Sequence, residues 1–61
     1  MTLKKLKELN VGDEFTFKNA VIMKGTYRKK SESFKSYCLV GDISLPGDSF
    51  AVSEDTFVFV N

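Results

Sequence analysis

The sequence predicts a small all-β domain of the barrel kind. Three features predict it: short alternating segments, turn signals every eight to twelve residues, and an apolar fraction rich in Phe. Hydrophobic residues make up 43% of the 61 residues and six are Phe, which is enough for one compact core. A chain of this size buries only about 60% of the surface that it exposes when unfolded. We therefore expect a single domain over residues 1–61.

The N-terminal segment, residues 2–9, carries leucine at every third position: Leu3, Leu6 and Leu9. This spacing predicts a short helical turn with one apolar edge. Because helices shorter than about 12 residues are marginal in water, we expect the leucines to dock on the rest of the domain, across an open barrel end. A first, irregular strand is the alternative for the same residues.

Five strands follow, each ended by a turn signal. The predicted strands cover residues 14–18, 21–29 with an interruption at Gly25, 34–40, 49–52 and 56–60. In the first of them Phe15 and Phe17 share one face. The segment Leu45-Pro46-Gly47-Asp48 matches a type II turn, since Pro fixes φ and Gly supplies a positive φ.

The last strand, from Thr56 to Val60, is uncharged, free of Pro and apolar on both faces. Such a strand is prone to aggregate when it is exposed. It must therefore be covered, either as a central strand with both faces buried or by pairing across a dimer interface. We expect burial, and a homo-oligomer through these residues is the alternative.

The charges are unevenly distributed along the chain. Residues 1–35 contain all nine basic residues and four acids, a balance of +5, whereas residues 36–61 contain four acids and no base, a balance of −4. Strands distant in sequence interleave in a small barrel, so we expect this segregation to disappear on folding. A basic face for an anionic partner is the alternative.

The residues offer little material for catalysis or for a bound metal. The chain has no His to act as a base, and its single Cys38 lies in an apolar strand, where Cys is usually a small core residue. Three acids, Asp13, Asp42 and Asp48, each follow a Gly and are explained as turn residues. We therefore predict a non-enzymatic protein without cofactor or metal.

The best candidate site is the basic hairpin around residues 24–35. Its lysines and arginine could neutralise phosphates while the interleaved rings of Tyr27, Phe34 and Tyr37 stack on bases. The alternative is that the rings belong to the core and that the lysines only solubilise the hairpin. The candidate binding residues are Lys24, Tyr27, Arg28, Lys29, Lys30 and Lys35.

Residues 6–17, with leucine, two residues, leucine, then Val11-Gly12-Asp13 and an alternating strand, resemble the opening of many short proteins encoded by bacteriophages and bacteria. Residues 50–58, which end on Asp55-Thr56-Phe57-Val58, are similar to the close of such chains. Together they cover 21 of the 61 residues. The resemblance implies a small five-stranded SH3-like barrel (Src-homology-3 type), and it transfers no catalytic residue.

These observations favour a small protein-binding module, a phage-encoded accessory protein that contacts a host or viral protein through an exposed edge or aromatic patch. A small-barrel nucleic-acid-binding protein using Lys24, Arg28, Lys29 and Lys30 is the alternative. The N-terminus lacks the apolar run of a secretory signal, and no stretch of about 18 apolar residues could span a bilayer. We therefore expect a soluble cytoplasmic protein of a bacterial or infected host cell, with no membrane partner.

Overall fold

The computed structural model describes residues 1–61 and contains one antiparallel sheet of six strands. The elements are β1 (Thr2–Lys5), a 3-10 turn (Leu6–Glu8), β2 (Glu14–Phe17), β3 (Tyr27–Lys29), β4 (Tyr37–Asp42), β5 (Phe50–Ser53) and β6 (Phe57–Val60). The strands lie in the order β1-β6-β2-β3-β4-β5. The predicted all-β class is confirmed. The 3-10 turn is the only helical element, and no helix of the chain could cross a membrane.

Two parts of the predicted architecture are wrong. There are six strands instead of five, because Thr2–Lys5 pairs with β6 and places Leu3 opposite Phe59. The sheet is also not closed into a barrel, since β1 and β5 stand at its two ends and do not pair with each other. The helical turn expected over residues 2–9 is confined to Leu6–Glu8.

The 3-10 turn connects the N-terminal segment to the residues between β5 and β6. The backbone N–H of Leu6 donates to Thr56 O over 3.0 Å, and that of Lys7 donates to Glu54 O over 2.9 Å. Leu6 and the following Leu9 are buried. Two of the three leucines therefore dock as expected, whereas Leu3 is 42% exposed because it points to the outer face of the sheet.

The core is built on the alternation predicted for β2. Phe15 and Phe17 point inward, and the ring of Tyr27 lies 4.7 Å from that of Phe17 at 71°, an edge-to-face contact. Phe15 and Phe17 also meet edge to face at 5.2 Å. These rings pack with the other buried apolar residues, which are Leu6, Leu9, Cys38, Val40 and Val58.

The second predicted strand, residues 21–29, is correct only at its end, Tyr27–Lys29. Gly25 has a φ of 94°, and the preceding residues form turns instead of a strand. The backbone N–H of Met23 donates to Asn19 O over 3.0 Å. As a result, Val21 and Ile22 are 82% and 75% exposed in the loop between β2 and β3.

The third predicted strand begins later than expected. Lys35 and Ser36 have positive φ values of 50° and 69° and form a tight turn, so β4 starts at Tyr37. Its pairing with β3 then carries it to Asp42, past the predicted end at Val40. The type II turn at Leu45 to Asp48 is supported by a φ of 100° at Gly47 and by a 3.2 Å bond from Asp48 N–H to Leu45 O.

β6 lies inside the sheet, between β1 and β2, as expected for a strand that must be covered. Only its inner face is well buried: Val58 is fully buried, whereas Phe57 on the outer face is 44% exposed. The expectation that both faces are buried is therefore wrong for the outer face.

Candidate interaction surface

The basic hairpin does not present its residues on one surface, because β3 alternates between the two faces of the sheet. Tyr27 and Lys29 point inward, and they are 7% and 0% exposed. Arg28 points outward and is exposed. Tyr27 therefore belongs to the core, which agrees with the alternative reading of its ring.

The side chain of Lys29 is buried and donates hydrogen bonds inside the protein. Its Nζ donates to the backbone oxygens of Leu6 over 2.9 Å and Leu9 over 2.6 Å. Glu32 Oε2 lies 3.6 Å from the same nitrogen, on a side chain that is largely exposed. A buried ammonium needs such partners, since its charge is costly away from water. The side chain thus holds the 3-10 turn and the residue after it against the sheet.

Lys30 and Arg28 are also engaged within the chain. Lys30 Nζ donates to Asp48 O over 2.6 Å, along the backbone of Gly41. Arg28 Nη2 lies 2.8 Å from Glu14 Oε2, a pair on directly opposed residues of β3 and β2. Half of each of these two side chains remains exposed, so the pair lies at the surface.

Lys24 and Lys35 are the two hairpin lysines that are exposed and form no ion pair. Lys24 precedes β3 and Lys35 follows it, so they lie beyond opposite ends of that strand. The six candidate residues thus fall into three groups. Two are buried (Tyr27 and Lys29), two are bonded to other parts of the chain (Arg28 and Lys30), and two are exposed beyond opposite ends of β3 (Lys24 and Lys35).

Folding mixes the basic and acidic halves of the sequence. Asp55 receives Lys7 Nζ at 3.2 Å and Lys5 Nζ at 3.8 Å, and both lysines come from the opposite end of the chain. Lys30 also approaches the acidic half of the sequence, but it donates to the backbone oxygen of Asp48 and forms no ion pair there. The expected loss of charge segregation is visible in these contacts.

A surface missed at the sequence level lies on the outer face of β1 and β6. Pairing places Leu3 opposite Phe59 and Lys5 opposite Phe57, so all four side chains share one face. Leu3 and Phe57 are 42% and 44% exposed, and Lys5 Nζ lies 5.6 Å from the centre of the Phe57 ring. We call these four residues the β1–β6 patch. The sequence indicated the apolar character of residues 56–60, but only the pairing of the two ends of the chain adds Leu3 and Lys5 to the same face.

A pocket of about 230 Å³ adjoins the patch at Phe59. Thr16 lies opposite Phe59, so β2 and β6 both line the pocket, together with residues next to β3 and β4. Both chain ends contribute to it. The lining residues are Met1, Glu14, Phe15, Thr16, Thr26, Ile43, Phe59 and Asn61.

Two side chains have altered acidity, and both alterations have local causes. Burial raises the pKa of the Cys38 thiol, an effect that nearby Lys29 opposes and that Glu54 and Glu32 reinforce. Hydrogen bonds from the backbone and then the hydroxyl of Ser44 lower the pKa of Asp42. No group of three His, Cys, Asp or Glu residues is arranged to hold a metal ion.

Comparison of the chain with protein families, characterised proteins and solved structures finds no match.

Proposed function

We propose that this protein is a non-enzymatic protein-binding module that docks through the β1–β6 patch and the adjoining pocket. The exposure of Phe57 and Leu3 on one sheet face carries the proposal. Grouped apolar side chains on the surface of a small protein are characteristic of interaction sites. β6 is held by strands on both sides, so Phe57 stands on a rigid support.

The pocket favours a protein partner over a small-molecule ligand. Its volume of about 230 Å³ is below the range of roughly 300–1,000 Å³ typical of small-molecule sites. A pocket of this size suits one anchoring side chain, and such anchors contribute much of the affinity at protein interfaces. Phe59 connects the pocket to the patch, so one partner segment can contact both.

The lysine within the patch adds selectivity. Lys5 lies over the Phe57 ring and shares Asp55 with Lys7, so positive charge borders the apolar surface. Charged groups around an apolar centre affect the rate and specificity of association more than its strength. We expect the partner segment to carry an apolar anchor with an acidic residue beside it.

The nucleic-acid alternative has less support. Single-strand binders combine a basic groove with exposed rings, whereas Tyr27 and Lys29 are buried and Lys30 is bonded to the backbone. Lys24 and Lys35 lie beyond opposite ends of β3 and cannot replace that groove.

Co-purification from the native setting, with matched variants, tests the proposal. Phe57→Ser removes the aromatic centre of the patch, and Phe34→Ser is the control because Phe34 is 46% exposed in a different part of the chain. We expect a protein that co-purifies with the wild type and the control and is lost with Phe57→Ser. Its binding should change little between about 50 and 200 mM salt, unlike phosphate contacts.

Two results would contradict the proposal. Either no protein co-purifies in a patch-dependent way, or every bound protein is retained by Phe57→Ser. Circular dichroism of both variants must match the wild type, so that loss of binding is not loss of folding.

For the finer fold and the setting, we propose an open variant of the small SH3-like barrel, encoded by a phage and acting in the cytoplasm. The adjacent first and last strands and the 3-10 turn that links the sheet ends support the architecture. The likeness of residues 6–17 and 50–58 to short phage proteins supports the setting. An experimental structure tests the first, and detection of the protein in infected cells tests the second.

A further inference from the structure

The two outer strands of the sheet differ in how they are protected. β1 and β5 each pair on one side only, so each has a free edge. β1 carries Lys4 and Lys5 among its four residues, whereas β5, Phe50-Ala51-Val52-Ser53, carries no charge. Lysine on an edge strand is a common protection against pairing with another chain. β5 has no such protection.

The side chains of β5 are also incompletely covered. Phe50 is 37% exposed, Ala51 is exposed, and Val52 is half-buried although it packs against the core. An uncharged, apolar edge strand in this state is a template for pairing with a further strand.

We propose that β5 pairs with β5 of a second copy of this chain, antiparallel and about a two-fold axis. This goes beyond the proposed protein-binding function, because it concerns a different surface and needs no other partner. It also places the oligomer contact at β5 instead of residues 56–60, since both edges of β6 are paired within the chain.

The sequence of β5 selects one register. Residues that lie directly opposite each other in antiparallel strands point to the same face of the sheet. A two-fold axis between two copies of one strand must therefore place one residue opposite the same residue of the partner subunit. An axis at Ala51 places Ala51 opposite Ala51 of the partner subunit and Phe50 opposite the partner's Val52. All pairs over residues 49–53 are then uncharged, and the like-charged pair of Asp48 and the partner's Glu54 lies beyond the ends of β5. An axis at Val52 would instead place Glu54 opposite Phe50 of the partner subunit.

Like-charge repulsion disfavours one of the two registers of self-pairing through β1. An axis at Lys4 would place that lysine opposite Lys4 of the partner subunit, and like charges directly opposed on neighbouring strands are destabilising. An axis at Leu3 would leave Lys4 opposite the partner's Thr2. The free edge of β5 therefore fits a second copy better than that of β1.

Sedimentation equilibrium of the purified chain tests the proposal. The mass should rise from 6.9 kDa toward twice that value between about 10 µM and 1 mM, the range of weak association. Ala51→Lys places two lysines face to face at the axis and should keep the chain monomeric. Ala20→Lys adds the same charge at an exposed site in the loop between β2 and β3 and should behave as the wild type.

Disulfide trapping gives a second measurement that is independent of the lysine variant. Directly opposed residues in antiparallel strands have Cα atoms about 4.5 or 5.5 Å apart, within the roughly 4.4–6.8 Å that a disulfide spans. In a Cys38→Ala background, Ala51→Cys should form a covalent dimer when oxidised by air with copper phenanthroline. Ala20→Cys should form at least ten-fold less.

The proposal is overturned if the wild type stays monomeric over the whole range, or if Ala51→Lys associates as strongly as the wild type. Equal trapping at positions 51 and 20 would also overturn it. None of these measurements involves the β1–β6 patch, so their failure leaves the protein-binding proposal to its own test.

Discussion

Lys29 Nζ donates a 2.6 Å hydrogen bond to the backbone oxygen of Leu9, and both residues are buried. A second bond from the same nitrogen, 2.9 Å long, reaches Leu6 O. Because a 3-10 turn of three residues makes few bonds of its own, this lysine from β3 supplies a donor to the carbonyl of its first residue and to that of the residue after its end. A cationic side chain thereby joins the N-terminal segment to the middle of the sheet.

Replacing Lys29 by Met tests this role. The substitution keeps most of the buried volume but removes both bonds and leaves Leu9 O without its donor, while Leu6 O keeps the backbone N–H of Leu9 at 3.1 Å. We therefore expect the free energy of unfolding to fall by about 2–4 kcal/mol. Urea denaturation followed by circular dichroism measures the change. Lys24→Met, at an exposed lysine without an ion pair, should change stability by less than about 0.5 kcal/mol. Equal stability of the two variants would show that the buried bonds contribute nothing.

Gly41 in β4 is required because there is no room for a side chain at this position. A Cβ at this position would meet Asp48 O and would lie 2.7 Å from Lys30 Cε, so backbone must move to admit it. Gly41→Ala should therefore destabilise the protein by about 2 kcal/mol or more. Gly47→Ala is the control: it has no neighbour within 4 Å but a φ of 100°, so it should cost only about 1 kcal/mol of backbone strain. Thermal unfolding that ranks Gly47→Ala as the more damaging change would contradict this account.

The sequence predicted the parts of the fold that depend on local patterns. Phe15 and Phe17 alternate with polar residues in β2, and the turn ending at Asp48 has its Pro and Gly in the required places. The leucine spacing in residues 2–9 was ambiguous, because Leu6 and Leu9 dock in the core while Leu3 faces outward on a strand. Pairing with β6, which is remote in sequence, decided between strand and helical turn.

Two of the candidate binding residues, Tyr27 and Lys29, are buried in the structure. Once Tyr27 is taken as an inward ring, a period of two also points Lys29 inward, so the alternation already contained the signal that removes it from the surface. The sequence indicated only one half of the β1–β6 patch, through the apolar residues 56–60. Leu3 and Phe57 are 54 positions apart (57 − 3), and only the register of β1 against β6 places them on the same face.

Asp42 should titrate below the ordinary range of an aspartate. The backbone N–H and hydroxyl of Ser44 both donate to Asp42 Oδ1, over 2.9 and 2.7 Å, and stabilise the charged carboxylate. A lowered pKa in the folded state contributes stability that is present above the unfolded pKa of about 3.9 and is lost as pH falls through the folded value. NMR titration of the carboxyl measures it. Ser44→Ala should raise the pKa of Asp42 only in part, because the hydrogen bond from the backbone N–H of residue 44 remains. A full return to the ordinary value would show that the hydroxyl, and not the backbone N–H, is the main cause of the lowered pKa.

Cys38 should make the protein less stable at high pH. Its pKa is raised mainly by burial, so the folded state favours the protonated thiol. That contribution is complete below the unfolded thiol pKa of about 8.5 and is lost as pH rises through the higher folded value. Urea denaturation at pH 7 and pH 10 measures the loss. Cys38→Ala lacks the titrating group and should lose less stability between the two pH values, and an equal loss in both proteins would exclude the thiol as its source.

A labelled single-stranded oligonucleotide should bind only weakly, because the exposed hairpin lysines without ion pairs, Lys24 and Lys35, lie beyond opposite ends of β3. Binding through phosphates needs several cationic side chains that contact one nucleic acid backbone. Each contact that is lost lowers both the affinity and the dependence of the affinity on salt. At about 50 mM salt, fluorescence anisotropy should show no saturation up to roughly 100 µM protein, the weak end of non-specific binding. Saturable binding that Lys24→Ala and Lys35→Ala each weaken strongly would mean that one nucleic acid strand contacts both lysines, and the nucleic-acid alternative would then displace the protein-binding proposal.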